Sequence, residues 1–408
     1  MLRIEENERL TQVGPGTPMG NLLRRYWQPI ATEADLDREE VMLIRRFGEN
    51  LVLYRAFNGS MGLVQERCPH RSASLAYGTP DNEGIRCPYH GWYFNEQGQC
   101  LEQPFEETVN AEARFKDKIT ITAYPVQALG GLIWAYLGPK EKQPVLPRWE
   151  GFVLEGLNRT IGTSDLPCSW LQCMENSLDP VHFEWLHANV MNNAARRKGA
   201  TKKAMNPAKH LAIDFDVFEF GIYKRRLLEG DDPNTSTDWL VGHPVLFPNT
   251  LAVTRSLFQI RVPIDDTHTW HINYGLSPMP EGQTEPKIEV VPVPYLTPEG
   301  KLITDTILGT DMLAWVSQGP ITPRNMEHLG VSDRGVILYR GMLNDAMTAV
   351  EQGGDPPCLL WDDSRNWPML TYHDENEHGK ARAQFRIEDG YQDTRTYAPT
   401  AASPTGAR

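Results

Sequence analysis

The chain has 408 residues, enough for two or three domains with sizeable cores. It carries 40 Lys+Arg against 53 Asp+Glu, a formal net charge of −13. That balance argues against nucleic acid as a partner, because phosphate backbones are bound by basic surfaces.

The first part reads as short β-strands. The runs VMLIRRF, LVLYRAF and MGLVQER are rich in β-branched and aromatic residues and are separated by Gly48-Glu49-Asn50 and Asn58-Gly59-Ser60. Further strands are expected at Trp92–Phe94 and Ile119–Ala123. Together they predict an antiparallel β domain over residues 25–140, closed by the Pro-rich stretch from Pro139 to Pro147. A second domain over 141–395, with residues 1–24 packed on it, is expected to be an antiparallel sheet flanked by helices. Its elements are a helix over Trp170–Val190, strands over Leu211–Leu228, Trp239–Val262 and Thr269–Leu276, and helices near Asp305–Val316 and Arg340–Gln352. The fold class is thus α+β, with a disordered tail over 396–408.

No membrane partner is expected. The longest largely apolar stretch, Ala128 to Gly138, is about half the ~20 residues that a spanning helix needs. The opening MLRIEENERL lacks the basic-then-apolar pattern of a secretory signal. Six cysteines in a chain this long do not make a disulfide framework, so a cytoplasmic protein is expected.

Two constellations carry chemistry. Cys68-Pro-His70 is followed after 16 residues by Cys87-Pro-Tyr-His90. Two thiolates and two imidazoles on two loops form a four-ligand metal site, which on residue type alone is compatible with structural zinc. Downstream, the segment from Glu175 to His187 supplies Asp179, His182 and His187. Asp179 and His182 share a helix face. His182 and His187, five apart, are about 140° apart on an ideal α-helix. They converge on one ion only if the helix bulges or ends before His187. Asp179-Pro180 also reads as an N-cap with a proline in the first turn.

The pattern C-x-H-x16-C-x2-H, with Gly91-Trp92 after it, resembles the Rieske [2Fe–2S] motif, in which two Cys hold one iron and two His the other. Neither loop carries the extra cysteine of respiratory Rieske proteins. A Rieske block about 90 residues ahead of N-x2-D-x2-H-x4-H resembles the α subunit of Rieske non-haem iron oxygenases. The opening GPGTPMGNLLRRYWQP and the stretch from Gln318 to Gly330 with Ser332-Asp333-Arg334 are similar to phthalate-dioxygenase-type members.

The resemblance implies a mononuclear Fe(II) on His182, His187 and a later carboxylate, with O2 as co-substrate. Asp305, Asp311, Glu327 and Asp333 lie at suitable distances. Asp311, before Met-Leu-Ala-Trp-Val-Ser-Gln-Gly-Pro, stands where phthalate-type relatives place theirs. Asn176 matches a residue near the iron. Asp179 matches a carboxylate that bridges His182 to His90 of the next subunit. A homotrimer or stacked hexamer is implied, served by a separate NADH-dependent flavin/iron–sulfur reductase, since no G-x-G-x-x-G follows a strand here.

The implied reaction hydroxylates or dihydroxylates an aromatic carboxylic acid, phthalate-like or phenoxybenzoate-like. O-demethylation of a methoxylated or heteroaromatic substrate is the alternative. A Rieske electron carrier without oxygenase activity and a zinc-stapled binding protein are readings from other classes. The basic groups Arg196-Arg197-Lys198 with Lys202-Lys203, and Lys224-Arg225-Arg226, are candidates for the substrate carboxylate, with solvated loops or a reductase docking patch as the alternative. Met191, Phe247 and Trp315 are candidate lining residues that ordinary core packing would equally explain.

Overall fold

The computed structural model describes residues 1–369 apart from 111, 113, 206, 207, 255, 281 and 367. The expected tail over 396–408, and the end of the 141–395 unit, lie outside the described residues. Val41–Arg46, Glu49–Arg55 and Met61–Gln65 form an antiparallel meander, with Ala123–Tyr124 added at its edge. Arg46 pairs with Glu49, so Phe47 and Gly48 alone make the first turn. Both have positive φ (52° and 73°), as a two-residue type I′ hairpin requires. A second four-stranded sheet, Thr79–Asp81, Gly84–Arg86, Tyr93–Asn95 and Cys100–Glu102, stands beside it. The strand expected at Ile119–Ala123 is mostly irregular: a 3-10 turn at Lys116–Lys118 precedes a bridge at Thr120, and regular pairing begins only at Ala123.

The larger half is built on an eight-stranded sheet. Its spatial order is His210–Phe218, Gly221–Leu228, His243–Leu246, Thr250–Thr254, Leu257–Asp265, His268–Pro278, Leu157–Leu166 and Glu289–Pro292. Every pairing is antiparallel except the last. Helices Trp170–Ser177, Ile307–Ser317 and Arg334–Glu351 accompany it. The α+β class is therefore as expected.

Two hydrophobic clusters explain how the halves are joined. Val52, Tyr54, Val64, Ile85, Trp92 and Phe94 form a small core of their own in the first half. The main core instead runs from Leu10 through Trp27, Leu53 and Trp134 to Ile260 and Tyr339. The sheet that carries it across is Trp27–Thr32, Leu132–Tyr136 and Val126–Leu129. The hairpin at Phe47-Gly48 docks as well: both N–H groups donate to the carbonyls of Pro263 and Ile264, at 2.9 Å each. At the N-terminus, Leu2 N–H donates to the Arg324 carbonyl (3.1 Å), and Arg9 makes two 2.7 Å bonds to Glu351.

Candidate metal centres

The two Cys-His loops close in the same way. Cys68 N–H donates to the Ala73 carbonyl and Ser72 N–H to the Cys68 carbonyl (both 2.9 Å). Cys87 N–H donates to the Trp92 carbonyl (2.8 Å) and Gly91 N–H to the Cys87 carbonyl (3.0 Å). The residue four after each cysteine is left-handed, Ser72 at φ 58° and Gly91 at φ 73°. At position 91 a Cβ would also meet Pro104 Cγ at 3.2 Å. These bonds turn each chain sharply and bring the two loops face to face.

Their side chains sort by exposure. Cys68 and Cys87 are buried, while His70 and His90 reach the surface. The imidazole centroids of His70 and His90 lie 4.5 Å apart, and His70 stacks on Trp92 at 4.6 Å. Burial pushes the Cys68 thiol up to about 12, with neighbouring Cys87 adding to the effect. A thiol so reluctant to ionise becomes a thiolate when a metal displaces its proton. Two inward sulfurs and two outward imidazoles are the donor set of a Rieske cluster, with one iron on each pair.

The second centre depends on a change of helical pitch. Helix Trp170–Ser177 ends at Leu178, and the chain then re-enters as a π-helix over Phe183–Val190, with His182 as its N-terminal flanking residue. The single α-helix expected over Trp170–Val190 is thus broken at Asp179-Pro180, whose ring removes a backbone donor. The i→i+5 bonding of a π-helix brings residues five apart onto one side. The two imidazole centroids end 5.1 Å apart. Helix Ile307–Ser317 then presents Asp311 to both. Its Oδ1 lies 3.6 Å from His182 Nε2 and 3.4 Å from His187 Nε2. One ligand atom from each residue lies within 4.8 Å of the others.

The hydrogen bonds settle which ring nitrogens face inward. His182 Nδ1 donates to the main-chain carbonyl of Asp179. His187 Nδ1 lies 2.8 Å from Thr310 Oγ1. The Thr310 hydroxyl donates its one proton to the Ile307 carbonyl (2.7 Å), so it accepts from His187. Both Nε2 atoms therefore turn lone pairs toward Asp311 Oδ1, which is itself buried without a hydrogen-bond partner. Burial lowers the proton affinity of both histidines and raises that of Asp311. Three acceptors aimed at one point, with no donor among them, suit a cation, and two neutral imidazoles with one carboxylate suit Fe(II).

Other named residues sort around this centre. Asp179 does not reach His182 through its carboxylate. It caps the new helical turn instead, accepting from Val181 N–H at 2.9 Å. Asp179, Asn176, His182 and Trp185 line an open groove of about 590 Å³. The other candidate acids are engaged elsewhere: Asp305 with Lys198 (2.5 Å), Glu327 with Arg340 (2.9 Å), and Asp333 with Gly330 N–H (2.6 Å). Lys198, Arg196, Arg197, Lys202 and Lys203 are exposed. Arg225 pairs with Asp216 (2.5 Å) and Arg226 with Asp238 (2.6 Å). Phe247 packs in the main core against Tyr26 and Tyr339, and Trp315 in a separate buried cluster with Cys168 and Met312. Met191 is half-buried at the end of the π-helix.

Two features escaped the sequence reading. One is Thr310, for which a threonine before an aspartate in an apolar helix gives no signal. The other is a buried ion-pair network behind the groove. Arg324 donates twice to Glu175 (2.8 and 2.7 Å), and Arg340 Nε donates to the same carboxylate (2.6 Å). Burial alone would push Glu175 up, but the two guanidiniums outweigh it and hold it low.

Comparison with known proteins completes the assignment. Residues 26–119 match the Rieske [2Fe-2S] domain. The chain is 43% identical over 379 residues to the 5,5'-dehydrodivanillate O-demethylase oxygenase subunit of Sphingobium sp. (strain NBRC 103272 / SYK-6), covering 91% of this chain and 87% of that one. It is 31% identical over 396 residues to the phthalate 4,5-dioxygenase oxygenase subunit of Pseudomonas putida, covering 86% and 88%. Among solved structures, NdmA of Pseudomonas putida CBB5 with caffeine superposes with a TM-score of 0.62 at 20% identity, over 82% of this chain and 94% of that one, a likeness of fold. Enzymes of this kind use a Rieske cluster, mononuclear iron and O2, and pair with a separate reductase or ferredoxin. With relatives this similar over nearly its whole length, the chain belongs to the Rieske non-haem iron oxygenases, as a terminal oxygenase subunit.

Proposed function

We propose that this oxygenase demethylates a methoxylated aromatic carboxylic acid, with His182, His187 and Asp311 holding its Fe(II) and Cys68, His70, Cys87 and His90 its cluster. The observation that carries the iron assignment is the convergence of two Nε2 lone pairs on an unpartnered, buried carboxylate oxygen. The 43% identity to an O-demethylase subunit supports demethylation, and the 31% identity to phthalate 4,5-dioxygenase keeps ring dihydroxylation as the second reading. Bound iron supplies oxygen activation, driven by electrons that arrive singly through the cluster. In net terms one oxygen atom is inserted at the methoxy carbon, whose bond to the aryl oxygen then breaks to give formaldehyde and the phenol, while two electrons and two protons reduce the other oxygen atom to water. The chain's own part is to keep both imidazoles neutral by burial, to fix their tautomers through Thr310 and the Asp179 carbonyl, and to hold the carboxylate opposite them.

Electrons come from an NADH-dependent flavin/iron–sulfur reductase, and the working unit is a homotrimer or a stack of two. Two features support an assembly in which one subunit's cluster serves its neighbour's iron. His70 and His90 lie at the surface, and an open groove adjoins His182. The Asp179 carboxylate faces that groove without bonding His182, which leaves it available to the His90 of the next subunit. Asp179→Asn is expected to retain both metals and lose product formation by about 100-fold. Six cysteines, none of them in a disulfide, support a reducing, cytoplasmic setting; no helix among the described residues is long and apolar enough to cross a membrane.

The deciding experiment measures iron and acid-labile sulfide per chain, then oxygen uptake and formaldehyde release with 5,5'-dehydrodivanillate. About three iron and two sulfide, with formaldehyde formed in step with oxygen uptake, is the expected result. Oxygen uptake with phthalate yielding a diol, and no formaldehyde from the methoxylated acid, would favour dihydroxylation.

A further inference from the structure

Strand Gly221–Leu228 carries three consecutive cations whose directions differ because successive side chains point to opposite faces. Arg225 faces one way, where its Nη1 also donates to the carbonyls of Trp239 (3.2 Å) and Leu240 (2.8 Å). Lys224 and Arg226 face the other. The Arg226 guanidinium sits 4.5 Å over the ring of Phe183, the first residue of the π-helix, and is anchored by Asp238. That face of the strand therefore lies against the helix that carries His187, and Lys224 is the next residue along it.

Lys224 is only 8% exposed. On this strand face, which lies against the π-helix, its charge is felt by Asp179, His182, His187 and Asp311 alike. Yet among the described residues it has no hydrogen-bond or ion-pair partner. Burial, with Arg226 adding to it, pulls its proton affinity down to about 8. An ammonium this enclosed without a counter-ion has given up much of its hydration with no protein acceptor in exchange. Neither neighbouring acid forms an ion pair with it: the Asp179 Oδ1 accepts from Val181, and Asp311 Oδ1 faces the two imidazoles. Its Nζ still reaches solvent, so an acceptor from outside the chain can approach it.

We propose that Lys224 recognises the carboxylate of the aromatic substrate and thereby sets which acids bind beside the iron. This rests on the aromatic-acid reading given above. Its chemistry is a charge-assisted hydrogen bond in a largely enclosed site, where a neutral ester cannot substitute for a carboxylate. Arg226 reinforces the positive potential from the same face, with its Nε bound to Asp238. The run Arg196-Arg197-Lys198 with Lys202-Lys203 is exposed, and Arg225 and Arg226 are each already paired with an acid.

The test is titration calorimetry of the full iron-loaded oxygenase with 5,5'-dehydrodivanillate and with its dimethyl ester, using no reductase and no turnover. The unaltered protein should bind the acid at least about tenfold more tightly than the ester. Lys224→Met should reduce that ratio to near one while iron and sulfide content stay unchanged. Lys224→Gln, which keeps a polar head should the apolar variant misfold, should behave likewise, and Lys224→Arg should retain part of the preference. A clear acid preference that persists in both Met and Gln variants with intact metal content would overturn the role of Lys224 alone. No binding of either compound by the unaltered protein, together with no response to phthalate, would overturn the aromatic-acid reading and Lys224's ligand with it.

Discussion

At the proposed cluster tip all four side chains come from residues 68–90, on two loops whose backbones repeat one hydrogen-bond pattern. At the proposed iron centre, two come from the π-helix and its flanking residue and the third from another helix more than a hundred residues later. The tip rests on a small core of its own, with its imidazoles at the surface. The iron centre is buried: the helix leading into it, Trp170–Ser177, is seated in the main core and the helix of Asp311 in the Cys168–Met312–Trp315 cluster. It is backed by Thr310 and by the ion-pair network reaching to Arg340. A metal site confined to loops is fixed locally. One gathered from distant segments is only as well ordered as the tertiary structure that aligns them.

Substitutions should separate the two. The largest effect is expected from Asp311→Ala, which removes the carboxylate that faces both imidazoles. Mononuclear iron and product formation should be lost, while two iron, two sulfide and the Rieske EPR signal remain. Loss of the cluster signal as well would show that the centres are not independent. Glu175→Ala comes next, because it strands the buried Arg324 guanidinium and leaves Arg340 with Glu327 alone, at a cost of about 3–5 kcal/mol. Thermal unfolding should shift down by several degrees and iron occupancy fall, with the visible spectrum of the cluster preserved.

Thr310→Val should weaken mononuclear iron binding by about 10–100-fold, measured by competition with a chelator, since His187 loses the acceptor that sets its tautomer. Thr310→Ser should restore it; equal loss in both variants would mean that the hydroxyl is not what matters. Gly91→Ala is the mildest, at about 1–2 kcal/mol for a left-handed backbone. Its Cβ would also crowd Pro104. It should lower sulfide content and leave mononuclear iron binding untouched.

The same contrast governs what the sequence disclosed. The cluster loops were legible because residue type and spacing alone define them. His182 and His187 were legible on one condition, a widened or interrupted helix, and the π-helix over Phe183–Val190 meets it. Asp311 was picked out from Asp305, Glu327 and Asp333 by resemblance, since helical periodicity says nothing about which distant acid folds back onto a given pair of histidines. The Glu175 network joins residues about 150 positions apart and leaves no local trace. Lys224, Arg225 and Arg226 read as one basic group in the sequence, and only the acids Asp216 and Asp238 reveal which of these cations are satisfied. In the fold, strand Leu157–Leu166 went unread because its polar residues, Asn158, Arg159, Thr160, Ser164 and Asp165, mask the alternation, although it lies between two strands of the large sheet.

The matched closure of the two cysteine loops carries a consequence for engineering. Each loop is held by its own backbone bonds and needs from its surroundings little more than a strand leading in and a hydrophobic floor beneath the sulfurs. Such a pair is portable: grafted onto another antiparallel sheet with two neighbouring strand ends and a small apolar layer, it would bring its electron-carrying capacity with it. The iron centre has no such minimal unit, and moving it means moving most of the molecule.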